Sequence, residues 1–124
     1  MTQNSFLSQL SEKNPDAILV GSIGTISYDL KEIPHKNKIL IKGAMGATIS
    51  CGLGIALSTE KQVIVVIGEG SLLMHLGSMA NVEKYKLPNL RIIVIQNDCY
   101  KSCGGQKNNF QYVKKYIPFE IVSC

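Results

Sequence analysis

The chain has 124 residues, 45% of them hydrophobic and 18% charged, which sets one domain large enough to bury a core and excludes a disordered or low-complexity tail. Its net charge of +4 comes from scattered lysines such as Lys31, Lys42 and Lys114, without a basic helix or interleaved aromatics, so nucleic acid is set aside as a partner and small anions fit. No apolar run approaches the length that crosses a bilayer, and residues 1–14 lack the regions of a signal peptide, so the expected location is cytoplasmic, with no membrane contact.

Phe6, Leu7 and Leu10 recur at helical spacing behind Asn4, a potential cap, and predict a short amphipathic helix that Asn14, Pro15 and Asp16 end. Residues 17–22, AILVGS, read as a buried strand, 25–33 as a helical or irregular crossover, and 38–43, KILIKG, as a second strand. An apolar helix follows over 47–58, whose Gly52 and Gly54 are expected to let another element pack closely. Residues 62–68, QVIVVIG, predict a third strand, 71–86 one or two helices broken near Gly77, and 90–97, LRIIVIQN, a fourth strand. After a loop over 98–109, residues 110–116 predict a helical turn or two, and 119–124, FEIVSC, a last strand.

Strands alternate with helices, and each strand is apolar throughout rather than at every second residue. That is the pattern of a parallel sheet covered on both faces. The expected fold is therefore a doubly wound, mostly parallel α/β sheet with helices on both faces, formed by residues 1–124 as one domain. Such sheets bind ligands beyond the carboxyl ends of their strands, near the point where the winding reverses. Three stretches reach that edge: GAMG at 43–46, GEGS at 68–71 and QNDCY at 96–100.

Glu69 is predicted at a strand end and Ser71 at the start of the next helix, so Gly70 and Ser71 can offer backbone donors and a hydroxyl to phosphate oxygens. A carboxylate repels phosphate unless a divalent cation lies between them. Mg²⁺ suits that place, taking one or two side-chain oxygens together with phosphate and water. Asn97 and the carbonyl of Cys99 are the candidate further ligands. Cys51, Cys99, Cys103 and Cys124 follow no CxxC spacing and are expected to be reduced thiols rather than a zinc site. GLGIALS lacks the strand-then-glycine turn of a dinucleotide fingerprint, and there is no GxxxxGK[ST].

Gly68-Glu69-Gly70-Ser71, followed by Gln96-Asn97 at the next predicted strand end, resembles the GDG…NN signature of thiamine diphosphate enzymes. GAMGATISCGLGIALS, GEGSLLMHLGSM, PNLRIIVIQN and CYKSCGGQ are similar to the diphosphate-binding domain, or β subunit, of sulfopyruvate and phosphonopyruvate decarboxylases, over about Leu19 to Gln106. The resemblance implies a subunit of a thiamine diphosphate-dependent 2-oxoacid decarboxylase, a lyase, acting on a small acid with an anionic tail. It implies that Met45 wedges between the two rings of the cofactor, with Gly43, Ala44 and Gly46 around it and the Gly43 carbonyl accepting from the cofactor's amino group. Glu69, Asn97 and the Cys99 carbonyl would hold Mg²⁺, and Gly70, Ser71 and Leu72 would meet the diphosphate. Tyr100, Ser102, Gly104, Gly105 and Gln106 fall in the stretch that closes over cofactor and substrate. His75, where the similar motif carries Asn, is a candidate proton donor with a packing or solvent role equally open, and His35 is expected to be solvated. The glutamate that protonates the aminopyrimidine belongs, in the family, to a separate domain. The chain is therefore expected to be inactive alone and to join a pyrimidine-binding-domain α subunit in a hetero-oligomer.

The match has departures. Glu69 stands where the family has Asp, and its extra methylene bears on a cation that demands near-ideal geometry at about 2.0–2.1 Å. FEIVSC corresponds to the last-but-one strand of the pattern, so the fold is expected to be shortened at its C-terminal end. Two other readings stay open: carboligation in place of simple decarboxylation, and a non-catalytic or regulatory relative that keeps the fold without the cofactor. Met45 and Ser71 also fit a core filler and a helix cap.

Overall fold

The apolar runs assemble into a five-stranded, all-parallel sheet in a computed structural model that describes residues 1–124. The chain begins α1 (Gln3–Lys13), β1 (Ile18–Gly21), α2 (Thr25–Glu32), β2 (Asn37–Leu40) and α3 (Thr48–Ser58). It continues β3 (Val63–Gly68), α4 (Glu69–Met74), α5 (Ser78–Tyr85) and β4 (Leu90–Gln96). Two short strands, β5 (Cys99–Tyr100) and β6 (Gln106–Lys107), precede the 3₁₀ turns Phe110–Tyr112 and Lys114–Tyr116 and the last strand, β7 (Glu120–Ser123).

Spatial order in the sheet is β2-β1-β3-β4-β7. The chain winds outward from β1 to β2, then returns past β1 to build β3, β4 and β7 on the other side. The reversal falls between β1 and β3, whose register pairs Gly21 with Val66. All strands point the same way, so every carboxyl end, and each loop singled out from the sequence, lies along one edge.

The two faces explain why the central strands show no alternation. Val63, Val65 and Ile67 of β3 join Ile49, Leu72 and Phe110 on one face, while Ile64 and Val66 join Leu7, Leu10 and Leu30 on the other. Every β3 side chain from 63 to 67 is thus buried, and each such burial is worth about 1.5–3 kcal/mol. The edge strand β2 is only half-buried and ends at Leu40, short of the expected 43.

Several local expectations are corrected. Thr2, not Asn4, caps α1, its Oγ1 accepting from the Ser5 amide. Gly52 packs closely, since a β-carbon there would strike Val65, but Gly54 faces open space. His35 is not solvated: its Nε2 donates to the Ala17 carbonyl (2.7 Å) and its Nδ1 lies 2.8 Å from the Ser11 hydroxyl, tying the β2 approach to α1 and β1. The 98–109 loop holds an antiparallel pair, β5 with β6, turned by Gly104 and Gly105 in left-handed conformations (φ 100° and 76°). The expected break near Gly77 is present, between α4 and α5. No helix is long and apolar enough to cross a membrane.

Candidate cofactor site at the carboxyl edge of the sheet

β3 ends in the extended Gly68, whose amide donates to Ser22 Oγ and binds the strand end to the exit of β1. The helix begins at once with Glu69. Ser71 is therefore the third residue of α4, not its cap, and sits buried within the first turn. This early start turns Glu69 inward from the sheet edge, and only 1% of it is exposed.

Glu69 Oε1 accepts from the backbone amide of Asn97 (3.2 Å) and from Asn108 Nδ2 (2.9 Å). Oε2 is buried and has no partner. The chain's one ion pair, Arg91 with Glu120, lies elsewhere, so no cationic side chain compensates this carboxylate. A buried, unpartnered carboxylate oxygen is costly and marks the place of an ion or water. Asn97 Oδ1 accepts from the Cys99 amide (3.2 Å) and from the Cys99 thiol (3.6 Å), a weak donor that a cation would displace. With the Cys99 carbonyl, these are hard oxygen donors in one cleft, a set that fits Mg²⁺.

The cleft, about 140 Å³, lies between the exits of β1, β3 and β4 and is lined by Ser22, Gly24, Met45, Gly70, Ser71 and Tyr100, among others. Gly70 lets two side chains close in: a β-carbon there would lie 2.7 Å from the Tyr100 ring and 3.4 Å from Met45 Cε. Met45 is thus a cleft residue, 37% exposed, and not a core filler. Gly24, at φ 95°, brings Ser102 Oγ within 2.7 Å of its own β position, so the segment after β4 reaches across to the exit of β1.

Not every residue singled out from the sequence joins the cleft. Gly43, at φ 73°, and Ala44 are exposed on the β2–α3 connection, where Gly43 borders a separate hollow with Tyr28 and Lys42. Gly46, at φ 95°, packs against His75, whose Nδ1 lies 3.2 Å from the Gly46 carbonyl. A carbonyl only accepts, so Nδ1 carries the proton and His75 braces this turn outside the cleft. The Leu72 side chain belongs to the core, which leaves only its backbone for a ligand. Gly104, Gly105 and Gln106 are exposed on the β5–β6 turn. Sequence reasoning missed Ser22, Gly24 and Asn108. The Gly-x-x-Gly of 21–24, directly after a predicted strand, was a signal for the first two; Asn108 had none beyond its place before Phe110.

Residues 20–120 match the family described as thiamine pyrophosphate enzyme, C-terminal TPP binding domain. The chain belongs to this family. It is 39% identical over 99 residues to phosphonopyruvate decarboxylase from Streptomyces viridochromogenes, covering 79% of this chain and 25% of the relative. It is 38% identical over 93 residues to sulfopyruvate decarboxylase subunit beta from Methanocaldococcus jannaschii, covering 74% and 50%. The chain therefore spans between a quarter and a half of these relatives. A solved 2-oxoglutarate:ferredoxin oxidoreductase from Magnetococcus marinus superimposes with a TM-score of 0.67 at 16% identity, covering 86% of this chain and 37% of that one, which shows the shared fold.

Proposed function

We propose that residues 1–124 form the diphosphate-binding unit of a thiamine diphosphate- and Mg²⁺-dependent decarboxylase of a small 2-oxoacid with an anionic tail, of the sulfopyruvate or phosphonopyruvate type. The observation that carries this reading is the buried, unpartnered Oε2 of Glu69 beside Asn97, at the winding reversal of a thiamine diphosphate-binding domain. The naming of similar chains as beta subunits supports a partner. That partner is a pyrimidine-binding-domain α subunit, which completes the site.

Bound thiamine diphosphate supplies a carbon nucleophile and an electron sink for the loss of CO₂ from a 2-oxoacid. This chain's residues bind and orient. Glu69, Asn97 and the Cys99 carbonyl hold Mg²⁺; Gly70 and Ser71 face the diphosphate; Met45 supplies an apolar shoulder. Tyr100 and Ser102, lying over Gly70 and Gly24, narrow the cleft and limit water.

The test is titration calorimetry of thiamine diphosphate with Mg²⁺ on the chain assembled with its α partner, followed by CO₂ release from sulfopyruvate and phosphonopyruvate. Cofactor binding that Asn97→Ala abolishes, with CO₂ released from one of the two acids, is expected. Binding unaffected by Asn97→Ala, or no binding at all, overturns the assignment.

A further inference from the structure

The segment from 97 to 108 begins and ends on the same atom. Its first residue gives Glu69 Oε1 a backbone amide, and its last gives the same oxygen the Asn108 side-chain amide. Asn108 is itself fixed on both sides: its backbone amide donates to the Asp98 carbonyl (3.2 Å), and its Oδ1 accepts from the amide of the fully buried Phe110 (3.0 Å). The donor that meets the carboxylate is thus anchored to the core, not carried on a free side chain. With two donors on Oε1, rotation of the carboxyl group is blocked, and Oε2 of this cleft-lining residue is left without a partner.

From this geometry we infer that Asn108 is a positioning residue for the cation site: it holds the longer Glu69 side chain so that one defined oxygen is presented to the metal. The inference rests on the Mg²⁺ reading of Glu69. It also accounts for a glutamate at this position. A carboxylate one methylene shorter would draw away from Asn108, whereas glutamate reaches it at 2.9 Å. Partners that orient a metal ligand commonly change metal affinity by about 10–100-fold when removed. Because Asn108 also closes the segment that carries Tyr100 and Ser102 over the cleft, the same hydrogen bond links that cover to the metal carboxylate.

The experiment is a double-variant cycle read by Mn²⁺ binding, with electron paramagnetic resonance detecting free Mn²⁺ in the presence of thiamine diphosphate. It uses the assembly purified through a tag on this chain. Asn108→Ser is the informative variant, because serine keeps an oxygen for the Phe110 amide but cannot reach Glu69. Unchanged thermal unfolding shows that the fold is retained, and Asn108→Gln, which keeps an amide donor, serves as the conservative variant. The expected result is about tenfold weaker Mn²⁺ binding in Asn108→Ser and partial recovery in Asn108→Gln. In the Glu69→Asp background, Asn108→Ser should cause no further loss, since the partner is already out of reach. Equal losses in both backgrounds, or none in either, overturn the positioning role while leaving the metal site standing. Absence of Mn²⁺ binding by the wild type overturns the metal site and the inference with it.

Discussion

The Tyr100 ring occupies the space that any side chain on Gly70 would need, with Cε1 at 2.7 Å and Cδ1 at 2.8 Å from the β position. Gly70 lies in α4 and Tyr100 in β5, so this contact presses the segment after β4 onto the start of the helix that carries Glu69. Gly70→Ala should therefore displace Tyr100, at a cost of about 1–3 kcal/mol. Adding Tyr100→Ala should return most of that loss, because the added methyl then has room. Urea unfolding of the two single variants and the double variant checks this; additive losses would show that the contact is not the cause.

Gly52 gives the same argument inside the core. A β-carbon at 52 would strike Val65 Cγ2, a stiff branched side chain in the central strand, whereas position 54 on the same helix is open. Gly52→Ala should cost about 1–3 kcal/mol by overpacking. Gly54→Ala should be neutral or stabilising by up to about 1 kcal/mol, since alanine favours a helix more than glycine does. Thermal unfolding of the pair is a direct comparison on one helix, and equal effects would contradict the packing.

This pair also marks how far the sequence could be read. Both glycines look alike in GLGIALS, and only the sheet decides which one faces β3. The central strands were legible because burial on both faces leaves an uninterrupted apolar run, and the carboxyl-edge loops because glycine and carboxylate interrupt such runs. Glu69, Gly70 and Asn97, which line one cleft, were singled out by that logic together with the family pattern. The contacts of Asn108 and His35 were not, because each depends on elements distant in sequence: Glu69 for the first, Ser11 and Ala17 for the second. Short polar side chains carry no periodicity that reveals a partner. The start of α4 was missed for a related reason, since glycine on either side of Glu69 suggests a loop, while the backbone enters the helix directly.

Glu69→Gln separates the cost of the buried charge from its use. Glutamine can keep the acceptor for Asn97 and Asn108 while removing the uncompensated negative charge. Without metal, the variant should be at least as stable as the wild type, because an unpaired buried charge costs more than a neutral amide. With Mg²⁺ and thiamine diphosphate at about a hundred times their dissociation constant, the wild type should gain roughly 2.7 kcal/mol and the variant almost none. Thermal unfolding with and without these ligands reads both effects; an equal gain in the two proteins would remove Glu69 from the proposed metal site.

His75 separates a brace from a proton donor. Its Nδ1 hydrogen bond to the Gly46 carbonyl fixes the turn that presents Met45, and the ring lies outside the cleft lined by Glu69 and Asn97. A bracing role needs only one N–H in that place, and the side-chain amide of asparagine supplies it at nearly the same distance from the backbone. His75→Asn should therefore keep stability within about 0.5 kcal/mol, while His75→Leu, which has no donor, should lose about 1 kcal/mol. Cofactor affinity should follow the same order, because a loosened Gly46 turn frees Met45. If His75 instead gave a proton to substrate, asparagine would fold well yet lose turnover as completely as leucine. Turnover and unfolding measured side by side on the two variants therefore decide between the roles, and the observed bond to Gly46 predicts that asparagine retains both.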